Sequence, residues 1–259
     1  MFECKKKAVN LQNKDTENME RKLVIIPTYN EIENISKITE AVLSIEGQYD
    51  ILVIDDGSPD GTGEEVKKLQ TQYPQRLHLI ERSGKLGLGT AYVTGFKWAL
   101  ENGYDYIFEM DADFSHNPQD LPRLLKPVQE GIADMSVGSR YCDGINVVNW
   151  PFSRILISYC ASIYVRTILG FKIFDSTAGF VCYSHKVLET IDLDAVRMKG
   201  YGFQIELKYT AKRLGFRIAE VPVVFVNRKE GTSKMSGSIF GEAFWGVLAL
   251  RFRKIRPKQ

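Results

Sequence analysis

Cysteine and histidine are scarce in this sequence, and their scarcity narrows what the protein can be. Its 259 residues include four cysteines and three histidines. Cys4, Cys142, Cys160 and Cys182 form neither a CxxC pair nor a disulfide-like framework, which favours a reducing cytosolic setting. Each cysteine is therefore expected to be a buried small hydrophobe or an inert surface thiol.

A strong net charge and long apolar runs are lacking as well. The formal charge is only +2, and no basic stripe with interleaved aromatic residues runs through the body of the chain, so no nucleic acid partner is expected. No uninterrupted apolar stretch reaches the roughly 18 residues of a membrane-spanning helix. Residues 1–20 are polar, without the apolar core of a signal peptide, and predict a flexible N-terminal extension.

What is present is a repeated alternation of strand-like and helix-like segments. It predicts a single α/β domain over residues 21–237, with a mostly parallel sheet flanked by helices, and a C-terminal amphipathic helix with a basic tail over residues 238–259. Thr62 and Glu65 have the spacing of a capping box. The predicted strands are residues 23–27, 49–54, 77–81, 106–110, 135–138, 179–183 and 217–226, and the predicted helices are residues 33–45, 62–72, 90–102, 118–129, 153–167 and 203–214.

The fourth predicted strand ends in two carboxylates, Asp111 and Asp113. Side chains two residues apart on an extended segment point the same way, so the pair can converge at the carboxyl end of the strand, where ligands of open α/β sheets bind. Oxygen ligands of this kind suit Mg²⁺ or Mn²⁺ shared with substrate phosphates. The same Asp-x-Asp spacing recurs at Asp192 and Asp194, but no apolar strand precedes it, and an exposed turn or helix start is the expected structure there.

Polar clusters follow each of the other early strands, at residues 27–31, 55–57 and 83–89. Taken singly, such residues could merely cap a helix or fix a turn. Residues 83–89 are rich in glycine, but they lack the Gly-Lys-Ser/Thr of a Walker loop and the spacing of GxGxxG. The sequence therefore disfavours an ATPase or a dinucleotide enzyme.

An ordered series of motifs resembles the dolichol-phosphate (polyprenol-phosphate) mannosyltransferase family, within the inverting GT-A glycosyltransferases. The resemblance covers nearly everything from residue 21 to the end, and it implies the Rossmann-like GT-A fold. The motifs are residues 26–31 (IPTYNE), 54–62 (IDDGSPDGT), 84–92 (GKLGLGTAY), 110–116 (MDADFSH), 138–141 (GSRY), 200–206 (GYGFQIE), 220–223 (EVPV) and 228–237.

The resemblance implies roles for particular residues. Asp113, Arg140 and Arg154 are the expected catalytic residues, and Arg228 and Lys234 are expected on a loop that closes over the donor. The implied donor-binding set is Pro27, Tyr29, Glu31, Val53, Asp55, Asp111, Ala112, Asp113, Arg140, Arg228 and Lys234. The implied metal ligands are Asp111, Asp113 and Ser115, and the implied acceptor-phosphate set is Arg140, Arg154 and Ser158.

The implied reaction transfers mannose from GDP-mannose to dolichyl or another polyprenyl phosphate with inversion, giving polyprenyl β-D-mannosyl phosphate. A phosphate acceptor is already anionic near neutral pH, so no dedicated general base is required, and positioning and charge stabilisation remain the tasks of the protein. His116 is accordingly expected to be structural. The alternatives are a polyprenyl-phosphate transferase that uses another nucleotide sugar such as UDP-glucose, and a catalytically silent binding partner of a membrane complex.

The expected location is cytoplasmic, peripheral at the cytosolic face of a membrane, with or without a small membrane subunit. The acceptor is a lipid, so the active site must reach the bilayer surface. The C-terminal helix can present one apolar face followed by basic residues, which suits an interfacial helix, but packing on the sheet explains the pattern too. The apolar residues are Phe240, Phe244, Trp245, Leu248 and Phe252, and the basic ones are Arg251, Arg253, Lys254, Arg256 and Lys258.

Overall fold

A seven-stranded β-sheet is the centre of the protein in the computed structural model, which describes residues 20–198, 200–227 and 237–258. The strand order is β3-β2-β1-β4-β7-β5-β8, and only β7 runs antiparallel to its neighbours within this sheet. The prediction of a mostly parallel sheet is therefore confirmed. The strands are β1 (Lys22–Thr28), β2 (Tyr49–Asp55), β3 (Leu77–Glu81), β4 (Tyr106–Glu109), β5 (Met135–Ser139), β7 (Val181–Ser184) and β8 (Ile218–Pro222).

The middle residues of the central strands are apolar because both faces of the sheet are covered. On β1, Val24 and Ile26 belong to one hydrophobic cluster, whereas Leu23 and Ile25 belong to the other. This is the alternation that a pleated strand imposes on successive side chains. Two layers of helices therefore enclose the sheet and build two separate cores.

Eight α-helices are described. Helices α1, α2 and α4 cover one face of the sheet, and α3, α6 and α7 cover the other. A third cluster joins α5, α7 and α8 beside the sheet. The helices are α1 (Ile32–Leu43), α2 (Thr62–Gln72), α3 (Leu88–Glu101), α4 (Leu121–Gln129), α5 (Phe152–Leu169), α6 (His185–Thr190), α7 (Tyr201–Arg213) and α8 (Gly237–Phe252).

The prediction of one strand over residues 217–226 is wrong. The chain leaves the large sheet after Pro222, where β8 ends, and Phe225 and Val226 form β9, which pairs with β6 (Val147–Val148) in a separate two-stranded sheet. Proline has no N–H to give to a ladder, so a strand readily ends there. Strand β6 and helix α6 were not predicted, because they are too short to show a periodic pattern.

The capping-box prediction is also wrong. Gly61, with a φ of 91°, occupies the N-cap of α2, and Thr62 is already inside the helix. The Thr62 hydroxyl donates to Asp60 Oδ1 at 2.6 Å and accepts from the backbone N–H of Glu31 at 3.0 Å. It therefore ties the loop after β2 to the loop after β1, at the edge of the sheet where the strands end.

Candidate active site

A cavity of about 940 Å³ lies beyond the carboxyl ends of the parallel strands. Its lining includes residues of the loops after β1, β3 and β4, of helices α5 and α8, and of the segment between β5 and α5. Open α/β sheets bind their ligands at this edge. The sequence-predicted residues that line the cavity are Tyr29, Glu31, Asp111, Asp113, Ser115, Arg140, Arg154 and Ser158.

Four predicted donor-binding residues are not brought to the cavity wall, namely Pro27, Val53, Asp55 and Ala112. Val53 has no exposed surface, and Asp55 is 2% exposed. The Asp55 carboxylate accepts hydrogen bonds from the Thr28 hydroxyl at 2.9 Å and from the backbone N–H of Ser58 at 2.9 Å, so it fixes the turn beneath the site. Arg228 and Lys234, with the predicted closing loop, lie outside the described residues.

The loop after β4, which carries the two carboxylates, leaves the extended conformation and forms a turn. Met110 still donates to the Ile25 carbonyl, which keeps the chain against β1 up to the first acid. Beyond it, the backbone N–H of Ser115 donates to Asp113 Oδ1 at 3.0 Å, and the backbone N–H of Asp111 donates to His116 Nδ1 at 3.2 Å. Local hydrogen bonds therefore define the position of both acids.

His116 makes the contacts of a structural residue, the role expected for it from the sequence because an anionic acceptor needs no general base. Its ring is 5% exposed and stacks on Phe180 with centroids 4.9 Å apart. Burial lowers the pKa of His116 well below its usual value, and the accepting Nδ1 carries no proton. The ring is therefore neutral, and its Nδ1 accepts a hydrogen bond from the loop backbone. It stabilises the loop that carries the acid pair and is poorly suited to take a proton from substrate.

The acid pair fits a divalent cation only together with substrate oxygens. Among the described residues, no group of three or more His, Cys, Asp and Glu side chains gathers as a metal site. Two carboxylates with an adjacent serine match the way Mg²⁺ and Mn²⁺ are bound beside phosphates, through few protein ligands and several other oxygens. Asp111, Asp113 and Ser115 would be the residues that hold such an ion.

A buried carboxylate fixes the position of Arg140 in the lining of the cavity. It follows β5 directly and is 7% exposed, and Asp175 accepts from its Nε and Nη2 at 2.6 Å each and from its backbone N–H at 3.0 Å. Thr177 Oγ1 accepts from Nη2 at 2.9 Å. Burial alone would raise the pKa of Asp175, but the charge and hydrogen bonds of Arg140 outweigh it and hold the pKa below its usual value.

Helix α5 presents a stripe of residues to the cavity that changes from charged to apolar. Arg154 comes first, with Nη1 donating to Asn227 Oδ1 at 2.9 Å. Ser158, Ala161 and Val165 follow at helical spacing and also line the cavity. Because i, i+4, i+7 and i+11 share one face of a helix, the wall offers a cation at one end and aliphatic surface at the other.

A buried polar network under the cavity was not predicted from the sequence. Lys208 has no exposed surface, and its Nζ donates to the Ala178 carbonyl at 2.6 Å and to Gln204 Oε1 at 3.2 Å. Gln204 Nε2 in turn donates to Glu109 Oε2 at 2.5 Å. Burial raises the pKa of Glu109 and lowers the pKa of Lys208, and the charge of each opposes the shift of the other. The network joins α7 to β4 two residues before the acid pair.

The comparisons with known proteins agree with this geometry. Glycosyl transferase family 2 matches residues 23–192. Undecaprenyl-phosphate mannosyltransferase of Micrococcus luteus is 48% identical over 243 residues, which cover 92% of this chain and 98% of that protein. Polyprenol monophosphomannose synthase of Mycolicibacterium smegmatis is 50% identical over 233 residues, which cover 88% of each chain.

A solved structure shares the fold. Glucosyl-3-phosphoglycerate synthase of Mycobacterium tuberculosis, in complex with Mn²⁺, UDP-glucose and phosphoglyceric acid, matches with a TM-score of 0.66 over 90% of this chain and 80% of that one, at 20% identity. The fold and the family match define a glycosyltransferase of the GT-A type, and the chain belongs to glycosyl transferase family 2. Within it, the chain belongs with the polyprenol-phosphate mannosyltransferases, which confirms the resemblance seen in the sequence.

We expect Lys208→Met to destabilise the fold strongly, because it leaves Glu109 buried without its opposing charge. Breaking a buried charge pair in this way costs about 3 kcal/mol or more. Adding Glu109→Gln to Lys208→Met should recover part of the loss, which free energies of urea unfolding for the two single variants and the double variant will measure. The control is Lys212→Met, an exposed lysine of the same helix, which should change stability by less than about 0.5 kcal/mol. Strictly additive single effects would contradict the coupling.

Proposed function

We propose that the protein transfers mannose from GDP-mannose to a polyprenyl phosphate with inversion at the anomeric carbon, giving polyprenyl β-D-mannosyl phosphate. The names of the two relatives close to 50% identical support the sugar and the lipid phosphate. The observation that carries the proposal is that two acids, Asp111 and Asp113, and two arginines, Arg140 and Arg154, line one cavity. We call the surface around the acids its acidic side and the surface around the arginines its basic side.

The two sides suit the two phosphate-bearing substrates. A divalent cation held by Asp111 and Asp113 would supply positive charge to the departing diphosphate. Arginine is always protonated and presents its donors as a planar fork, so Arg140 and Arg154 suit a phosphate monoester. The acceptor oxygen is already anionic, and the task of these residues is to aim it at the anomeric carbon from the side opposite the diphosphate.

The apolar part of the cavity supports a lipid acceptor over a small soluble one. Beyond Arg154 and Ser158, the wall formed by α5 and α8 consists of residues such as Ala161, Val165 and Val247. Burying aliphatic surface is favourable by about 25 cal/mol per Å². A polyprenyl chain attached to the phosphate would gain this energy, and a short polar phosphate ester would not.

Assays with a panel of donors and acceptors test the proposal. We expect transfer from GDP-mannose to farnesyl phosphate in the presence of Mg²⁺ or Mn²⁺, with the β anomer of the product identified by NMR. Transfer from UDP-glucose instead of GDP-mannose would contradict the proposed donor but support the proposed lipid phosphate acceptor. Transfer to soluble phosphate esters but to no polyprenyl phosphate would contradict the acceptor. No transfer with any pair would favour a binding role.

Two aspartate variants separate the cation site from general charge effects. Asp113→Asn keeps the volume of the side chain but removes its charge from the acid pair, so we expect turnover to fall at least about 100-fold and the binding of Mn²⁺ with GDP to weaken. The matched control is Asp194→Asn, in the second Asp-x-Asp, which is exposed and pairs with Lys97 at 2.5 Å. Asp194→Asn should leave both the turnover and the binding of Mn²⁺ with GDP unchanged. Normal Mn²⁺ binding by Asp113→Asn would refute the assignment.

We propose further that α5 and α8 rest on a bilayer. The outer stripe of α5 is apolar and exposed, with Phe152 at 78% and Leu156 at 51%, and Trp245 of α8 is 69% exposed. Among the described helices, only α5 is long and apolar enough to be a candidate span, and 17% of it is buried, so its composition suits contact with lipid. The exposed basic residues beside these helices suit anionic headgroups and are Arg251, Lys254, Arg256 and Lys258.

Helix α8 also packs on the protein. An interfacial helix and a packing helix, the two possibilities that the C-terminal sequence allowed, therefore do not exclude each other. Val247 and Leu250 are buried against α5 and α7, whereas Phe244 and Phe252 are exposed. The Arg253 guanidinium pairs with the buried Glu206 carboxylate and is engaged by the fold. The side chain of Phe240 lies outside the described part of the chain. Truncating the helix would therefore remove core contacts together with any membrane contact, and point variants are needed.

We expect the triple variant Phe152→Ser, Leu156→Ser and Trp245→Ser to sediment with anionic vesicles at least about tenfold less, because three exposed apolar side chains no longer enter the lipid. Its turnover of soluble farnesyl phosphate should stay near that of the unmodified protein. The control is Ile132→Ser with Ile145→Ser, two isoleucines exposed by 62% and 56% elsewhere on the surface. Equal vesicle binding by the triple variant and the control would contradict the membrane surface.

A further inference from the structure

We propose that Trp150 is a positioning residue for the acceptor phosphate, because its ring holds the guanidinium groups of Arg140 and Arg154 at a fixed place on the cavity wall. The inference rests on the proposed function, in which these two arginines receive that phosphate. Trp150 follows β6, stands two residues before α5 begins, and lines the cavity. No sequence motif singled it out.

The ring of Trp150 lies against both cations. The Cζ atom of Arg154 is 3.9 Å from the ring centroid, and the Cζ atom of Arg140 is 5.4 Å from it. Both distances are within the roughly 6 Å over which a guanidinium group is attracted to an aromatic face, and tryptophan gives the strongest attraction of this kind. One side chain therefore organises two like charges that would otherwise repel each other.

The indole N–H does not explain why a tryptophan stands here. Nε1 is buried and has no hydrogen-bond partner among the residues that the structure describes. Tryptophan N–H groups usually find a partner when they are buried. The contacts that remain are those of the ring with the two arginines and with Phe225. The ring itself is thus the functional part of the residue.

An aromatic chain connects this ring to the acid side of the cavity. Phe225 of β9 meets Trp150 edge-on, with centroids 5.3 Å apart, and meets His116 edge-on at 5.5 Å. His116 accepts the backbone N–H of Asp111. Three packed rings therefore span from the loop with the acid pair to Arg154. Aromatic side chains have few rotatable bonds, so this packing defines the spacing between the two sides of the cavity.

The guanidinium of Arg154 lies closer to the face of Trp150 than that of Arg140 does. Arg140 has the buried Asp175 carboxylate on its Nε and Nη2 and Thr177 beside it, which hold its guanidinium independently of the tryptophan. The hydrogen bond of Arg154 to Asn227 uses one nitrogen, and the face of Trp150 is the surface on which its guanidinium lies. Loss of the ring should therefore remove a closer contact from Arg154 than from Arg140 and weaken acceptor binding, while the donor side stays in place.

Steady-state kinetics of Trp150→Leu and Trp150→Phe test this inference. We expect the KM for farnesyl phosphate to rise about tenfold in Trp150→Leu, with the KM for GDP-mannose changed less than twofold. Trp150→Phe keeps an aromatic face and should restore most of the affinity. The control for loss of a packed tryptophan is Trp98→Leu, on α3 against His78 and Tyr104 and away from the cavity, which should alter neither KM.

Fluorescence supplies a readout that a purely structural role would not move. In Trp98→Phe with Trp245→Phe, Trp150 is the one tryptophan left of three. Farnesyl phosphate should change its emission, and farnesol should not, because a phosphate bound by the two arginines places negative charge beside the cations that contact the ring. An unmodified protein that uses no polyprenyl phosphate would refute the proposed function. If that protein is active, then an unchanged acceptor KM in Trp150→Leu, equal rises in both KM values, or an emission that does not respond would overturn the role of Trp150.

Discussion

The buried ion pair of Arg140 with Asp175 is the contact on which the basic side of the cavity depends. A guanidinium group this deeply buried would be strongly unfavourable without a partner. The Asp175 carboxylate, which has no exposed surface, takes two side-chain nitrogens and the backbone N–H of Arg140, and the carboxylate of Glu220 receives the backbone N–H groups of Phe174 and Asp175. The segment between α5 and β7 is thereby fixed against β8, and Arg140 is held in the lining of the cavity that the acids after β4 also line.

One buried network connects the segments that carry the acids and Arg140. Lys208 bonds to the Ala178 carbonyl, in the same segment that carries Asp175, and reaches Glu109 of β4 through Gln204. Both sides of the cavity therefore rest on one buried network, which satisfies its charges internally. Networks of this kind specify a single arrangement when all members are paired. In a glycosyltransferase, that arrangement would hold the leaving diphosphate and the incoming phosphate at a constant separation.

Much of the sheet and the position of the acid pair could be predicted from the sequence. Strands buried on both faces read as continuous apolar runs, so β1, β2 and β4 were predicted, and with them the carboxyl edge where Asp111 and Asp113 stand. The sequence was not sufficient to predict the roles of residues whose surroundings are set by tertiary contacts. Lys208 looks like any lysine of a helix, and its burial depends on partners that come from other elements, Ala178 and Glu109. Trp150 follows a two-residue strand that has no periodic signal, and its place between two arginines is visible only in the fold.

The proposed function requires one cavity to hold a divalent cation on its acidic side and a polyprenyl phosphate on its basic side, close enough to react. Paramagnetic relaxation of phosphorus by Mn²⁺ falls steeply with distance, so the ³¹P signal of farnesyl phosphate reports this separation directly. With the protein, Mn²⁺ and GDP present, we expect strongly accelerated relaxation of that signal, and we expect Asp113→Asn to reduce the acceleration without releasing the farnesyl phosphate. Farnesyl phosphate that binds at full affinity while its phosphorus relaxation stays unaffected by Mn²⁺ would contradict a shared cavity for the cation and the acceptor phosphate.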